Sequence, residues 1–196
     1  MSYSVVRLNC PGCGFPVEIG MKECPAGHPL NISTFNSVRD MPIPMVNKYT
    51  GVYKKELQED PVNKELNYSI GICYLKLKLY DKASLAFAKA IEDDFDNSEA
   101  FFYAAIAELK GKKAFLALRP NISKAEEYIN AAIMIEPKGI YYYFHAYIKY
   151  DFYERKKLNT FPDYQETKQI AYDIGVSDYD IQMLYELLNV ERPACL

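Results

Sequence analysis

Three cysteines and a histidine crowd the start of the chain, in LNCPGCGFPVEIGMKECPAGHPLNIS, residues 8–33. The spacing is Cys10-x2-Cys13, ten residues, then Cys24-x3-His28. Thiolate and imidazole are the donors that zinc takes in a tetrahedral shell, and four of them close it. Two short knuckles with two donors each build such a shell economically. Pro11 and Pro25 stiffen the turns, while Gly12, Gly14 and Gly27 let the backbone wrap around a sulfur. A closed shell predicts a structural ion, because a catalytic zinc keeps an open position and a nearby acid or base. Glu23, beside Cys24, reads as a solvated surface carboxylate. The expectation is therefore one structural Zn2+ on Cys10, Cys13, Cys24 and His28. In so small a module the metal would supply much of the folding energy.

Little else in the chain has the residue types and spacing of chemistry. There is no Walker loop, no Gly-x-Gly-x-x-Gly and no nucleophile elbow, so no enzyme is expected. His145, in YYYFHAY, has no Cys or His at helical spacing and reads as a packed or surface histidine. The acids of EDDFD, residues 92–96, lack EF-hand spacing and read as solvated. Cys73 lies in an apolar helical pattern as a small core residue, and Cys195 is next to the C-terminus. Five cysteines, three of them clustered, fit metal-bound thiolates in a reducing cytoplasm better than a disulfide framework. MSYSVVRLNC lacks the apolar stretch of a signal peptide. No apolar run approaches the roughly 18 residues of a bilayer span, so no membrane partner is expected. A net charge of -3 argues against a general nucleic-acid binder, which needs clustered Lys and Arg.

Short strands are predicted around the knuckles, at 5–8, 15–19 and 30–35. The CPGCG knuckle and its CPAGH counterpart resemble a zinc ribbon over about residues 3–36. The departure is the fourth ligand, His28, where most ribbons carry a second Cys-x2-Cys. The ribbon is assigned to 1–36. A linker at 37–46 follows, expected to be extended because NSVRDMPIPMV holds two prolines two residues apart.

From there the periodicity is helical, and the chain repeats. NYSIGICYLKLKLYDKASLAFAKA, residues 67–90, resembles a tetratricopeptide repeat: Ile70-Gly71 and Tyr74 match the first helix, and Ala83, Phe87 and Ala90 match the second. Asn67 and Phe95 replace the usual Trp and Pro. A second copy starts near Ser98 with Phe101, Ala104 and Ala105, continues with Ala125, Ile129 and Ala132, and ends at Pro137; Glu108 stands where an aromatic belongs. Eight extra residues around KGKKAFLALRPNIS imply a longer loop or longer helices. A third first helix is expected at about 140–157, and a half repeat upstream ends at Pro61. The resemblance covers about residues 47–155. It implies a mainly α chain, an antiparallel helical-hairpin solenoid over 47–196 with a small N-terminal β zinc ribbon.

In that solenoid the first helix of each pair lines the concave side. Tyr68, Phe102 and Phe144 occupy one equivalent position, and Ile72, Ile106 and Ile148 another, one helical turn on. The residues with which some tetratricopeptide domains grip a C-terminal carboxylate are absent: Tyr68, Ile72, Tyr103, Tyr141 and His145 stand there instead. The six-residue apolar stripe is therefore a candidate groove for a protein or peptide partner. Alternatively the chain's own C-terminal helices, or a second copy in a homo-oligomer, fill it. In TKQIAYDIGVSDYDIQMLYELL, Ala171, Gly175, Ile181 and Leu184 have helix-turn-helix spacing, with Ser177 as N-cap and Asp180 three residues on. The would-be recognition helix is acidic, with Asp178, Asp180 and Glu186. A helical cap over about 160–190, with Ile170, Ile174, Ile181, Leu184 and Leu188 inward, is the preferred reading. Together these point to a non-enzymatic adaptor that binds a protein partner. The alternative is a nucleic-acid-associated regulator acting through the ribbon or the C-terminal segment.

Overall fold

Asn63 and Asn97 stand 34 residues apart and do the same work. Each caps a helix by accepting a hydrogen bond from a backbone N–H three residues on, Leu66 for one and Ala100 for the other. This recurrence sets the architecture. The computed structural model describes residues 9–18, 21–92 and 96–196. It is mainly helical, with α1 Asn36–Arg39, α2 Ile43–Glu59, α3 Lys64–Lys76, α4 Tyr80–Ala90, α5 Ser98–Glu108, α6 Arg119–Ile135, α7 Gly139–Ile148, α8 Tyr164–Ile174 and α9 Asp178–Leu188.

Short connections fold successive helices back on one another, and α3 packs with α4, α5 with α6 and α7 with α8. Helix α2 leans on α3, α4 on α5 and α6 on α7, so the pairs join in a row. Gly71 is what lets α3 and α4 close up: a Cβ there would lie 2.7 Å from the Phe87 ring. Phe87 in turn stacks on Tyr103 of α5, with centroids 5.9 Å apart, so one aromatic ties two pairs together. The extra residues between α5 and α6 form a loop with a 3-10 turn, Ala114–Leu116. The loop is pinned to the third pair: Ala114 N–H donates to the Tyr147 hydroxyl and Phe115 N–H to buried Asp151.

Three expectations need correction. First, the β ribbon is unsupported: among the described residues there are only two isolated bridges, Asn9 with Pro16 and Glu23 with Pro29. Proline has no N–H to extend a ladder, so each pairing stops where it starts. No strand forms at 30–35, and the one expected at 5–8 lies outside the described residues, as does Ile19. Second, residues 36–46 are not an extended linker. They contain α1 and the start of α2, because Pro42 precedes α2 and Pro44 falls in its first turn, where a missing N–H costs nothing. Third, of the cap expected over about 160–190, Ile181, Leu184 and Leu188 of α9 are buried, but α8 packs as the second member of the α7 pair. It turns Thr167 and Ala171 inward and leaves Ile170 and Ile174 exposed. Ser177 does cap α9, in a reciprocal box with Asp180.

Candidate functional site

The knuckles form from backbone hydrogen bonds. Gly14 N–H donates to the Cys10 carbonyl at 2.8 Å, Gly27 N–H to that of Cys24 at 2.8 Å, and Cys24 N–H to that of His28 at 2.9 Å. Each turn delivers two side chains to one point. One donor atom from each of Cys10, Cys13, Cys24 and His28 lies within 4.8 Å of all the others, close enough to hold a metal ion. The Cys13 and Cys24 sulfurs are 3.8 Å apart, and Cys24 Sγ is 3.5 Å from His28 Nδ1.

The electrostatics suit thiolates. Burial pushes the Cys24 thiol up, but the backbone N–H groups of His28 and Ala26, with Cys10 and Cys13, outweigh it and bring it down to about 6. Burial prevails at Cys10, which is raised although the N–H groups of Cys13 and Gly12 point at its sulfur. Such N–H donors stabilise negative sulfur, as a metal ligand must be. Cys73, by contrast, is buried in the helical core and pushed up to about 12, which makes it inert.

The cluster sits against α2, through residues the sequence reading did not assign. The Tyr49 hydroxyl donates to the Pro29 carbonyl at 2.5 Å, and Ile32 N–H donates to the Tyr53 hydroxyl at 3.1 Å. Gly12 fits into the junction, where a Cβ would meet Met45, His28 and Tyr49 at 3.0–3.3 Å. The tyrosines stand four apart on one face of α2, a spacing visible in NKYTGVYKK.

Beyond the cluster the chain runs as a strap along the helices. Ile32, Phe35 and Val38 enter the main core, and Phe35 N–H donates to Tyr103. At its far end Arg39 makes a bidentate pair with Glu186 of α9, stacks on Tyr179, and gives its carbonyl to Lys76. Helix α9 packs across α5 and α7, and Tyr185 meets Tyr147 edge-on with centroids 5.6 Å apart.

This strap and α9 account for the predicted groove. Tyr68, Ile72, Phe102, Ile106, Phe144 and Ile148 are all buried, and they belong to one cluster with Ile32, Phe35, Val38, Ile181, Leu184 and Leu188. The stripe is core, not an open groove: the chain's own residues cover it. The same contacts take α9 out of contention as a recognition helix, since its apolar face is buried and its first turn is acidic. His145 is part-buried near Lys149, and burial first, then that lysine, push it down to about 4. No helix among the described residues is long and apolar enough to cross a membrane.

Comparison with protein-family models, with curated proteins and with solved structures finds no match for this chain.

Proposed function

We propose that the chain is a non-enzymatic adaptor: a tetratricopeptide-type scaffold, stapled at its N-terminal end by a structural zinc ion, that holds a protein partner. One observation carries the metal part of the reading, the four-donor cluster seated on α2. With Zn–S near 2.3 Å and Zn–N near 2.0–2.1 Å, a tetrahedral shell has S–S edges of about 3.8 Å and S–N edges of about 3.5 Å. The sulfur–sulfur and sulfur–nitrogen separations of 3.8 and 3.5 Å match those edges. Four protein donors leave no place for substrate, so the ion's contribution is to fix two turns and the start of the strap. The repeat type is supported by the Asn63/Asn97 caps and the Gly71–Phe87 contact. Because the concave stripe is core, the partner docks on an outer surface.

Cobalt substitution tests the metal centre. Tetrahedral d–d bands with thiolate charge transfer, unmoved by azide or cyanide, are expected. Bands that shift with added ligand mean an open position and refute the closed site. Cross-linking of the intact chain in its native cell tests the adaptor reading, which fails if no protein is captured at stoichiometric yield.

A further inference from the structure

Between α2 and α4, above α3, lies a groove of about 270 Å3. Its floor includes Ile70 and Tyr74, with Leu57 on the α2 side and Leu85 on the α4 side. Leu85 is 69% exposed. Around this apolar strip stand Lys54, Lys82 and Lys89, all exposed, and no carboxylate lines the groove. The groove is thus locally basic in a chain with 26 acidic residues against 23 basic ones. Lys54 lies over the Tyr74 ring at 5.9 Å, and among the described residues none of the three lysines forms an ion pair.

The next repeat shows what a self-satisfied version looks like. Thirty-four residues on, Tyr74 is replaced by Glu108 and Ile70 by Ala104. Glu108 is buried, accepts hydrogen bonds from Ser84 and Asn121, and pairs with Lys124 at 3.2 Å. There the protein supplies its own carboxylate to the lysine. In the first repeat Leu85 and three cations are left facing solvent, over the buried Ile70 and Tyr74.

We infer that this groove docks a short acidic amphipathic helix of a protein partner. Lys82 and Lys89 are seven residues apart on α4, about 10 Å or two turns, with Leu85 between them. A helix with carboxylates on either side of an apolar stripe matches that layout: its leucines pack on exposed Leu85 and half-buried Leu57, its carboxylates reach the lysines, and charge and shape select it together. The inference supplies the docking surface that the adaptor reading requires, and rests on that reading.

The test uses the full, metal-loaded chain and a fluorescein-labelled 14-residue peptide with Leu at i, i+3 and i+7 and Glu flanking them. Saturable binding that weakens with salt is expected, and the same peptide with Lys for Glu does not bind. The exposed pair K82Q/K89Q weakens binding about three- to tenfold, as two solvent-facing charge contacts allow. The control pair K112Q/K113Q, also exposed and equal in charge change, leaves it intact. Absence of saturable binding overturns the inference, as does equal weakening by both pairs, which means diffuse attraction. Light scattering that shows a dimer broken by K82Q/K89Q overturns it too, since the occupant is then a second copy. A native partner cross-linked elsewhere on the surface overturns the groove while leaving the adaptor reading standing.

Discussion

Removing the proposed zinc should unfold one part of this molecule and spare the rest. Among the described residues, the cluster's own small core contains two thiols, Cys10 and Cys24, beside two aliphatic side chains, Val17 and Leu30. Burying those two contributes about 3–6 kcal/mol. A structural zinc contributes about 10–16 kcal/mol, several times more. Chelation, or Cys24→Ser, therefore leaves the knuckles without most of what orders them. Hydrogen exchange by mass spectrometry reads this directly. The amides of Cys10, Gly14, Cys24, Gly27 and Leu30 are hydrogen-bonded within the knuckles. Their protection should fall by at least a factor of about a thousand, the equivalent of about 4 kcal/mol. The amides of Ile32 and Phe35 are bonded instead to Tyr53 and Tyr103 on the helices, and should stay protected, as should α5 and α7. Unchanged protection over residues 9–30 after complete chelation would refute the stapling argument. Loss of protection throughout α5 and α7 would show that the metal holds the whole fold.

Three further outcomes are expected. Phe35→Ala removes a buried ring from the strap and should cost about 3–5 kcal/mol in urea unfolding, whereas a loss below about 1 kcal/mol would mean the strap is not part of the core. Gly71→Ala drives a methyl group into the Phe87 ring and should cost about 1–3 kcal/mol, visible as a lower Tm; an unchanged Tm contradicts the close α3–α4 approach. His145 is held neutral in the fold, with its pKa near 4 against an ordinary 6.5. The unfolded chain therefore binds the proton first as pH falls: the contribution is intact above about 6.5 and is lost progressively down to about 4, up to about 3 kcal/mol in all. His145→Gln should flatten the stability profile between pH 5 and 6.5, and an identical slope in the variant rules the histidine out as its source.

How legible was this in the sequence? The donor set was, because Cys-x2-Cys and Cys-x3-His carry their geometry in their spacing: a knuckle is local, and four donors need only two of them. The helix pairs were legible for a similar reason. Gly71 and Ala105 stand 34 residues apart in the first helices, and Ala83, Phe87 and Ala90 return as Ala125, Ile129 and Ala132 in the second. What failed was non-local or weakly coded. Pro16 and Pro29 sit at the two bridge positions and end each pairing, and a reading that counts apolar residues on a strand overlooks the missing N–H. Pro44 looked like a helix breaker, and only its position in the first turn of α2 makes it harmless. Ile170 and Ile174 look like the inward face of α8, but the face α8 turns inward is the small one, Thr167 and Ala171.

The concave stripe teaches a more general lesson about repeats. Tyr68, Phe102 and Phe144 recur at one position because stacked pairs present equivalent residues on one side. That recurrence says the side is covered, not by what. Sequence separation hid the answer: the strap lies before the repeats and α9 after them, and they meet through Arg39 and Glu186, 147 residues apart. The contrast between Tyr74 and Glu108 runs the other way. Both occupy the same repeat position and are buried, yet Glu108 satisfies a lysine and Tyr74 leaves one over its ring. A departure from the repeat pattern at 108 therefore marks where the protein completes its own surface. Adherence to the pattern at 74 marks where the lysines remain for another molecule to neutralise. For a repeat scaffold, the informative positions are those where equivalent residues differ in what they leave unpaired.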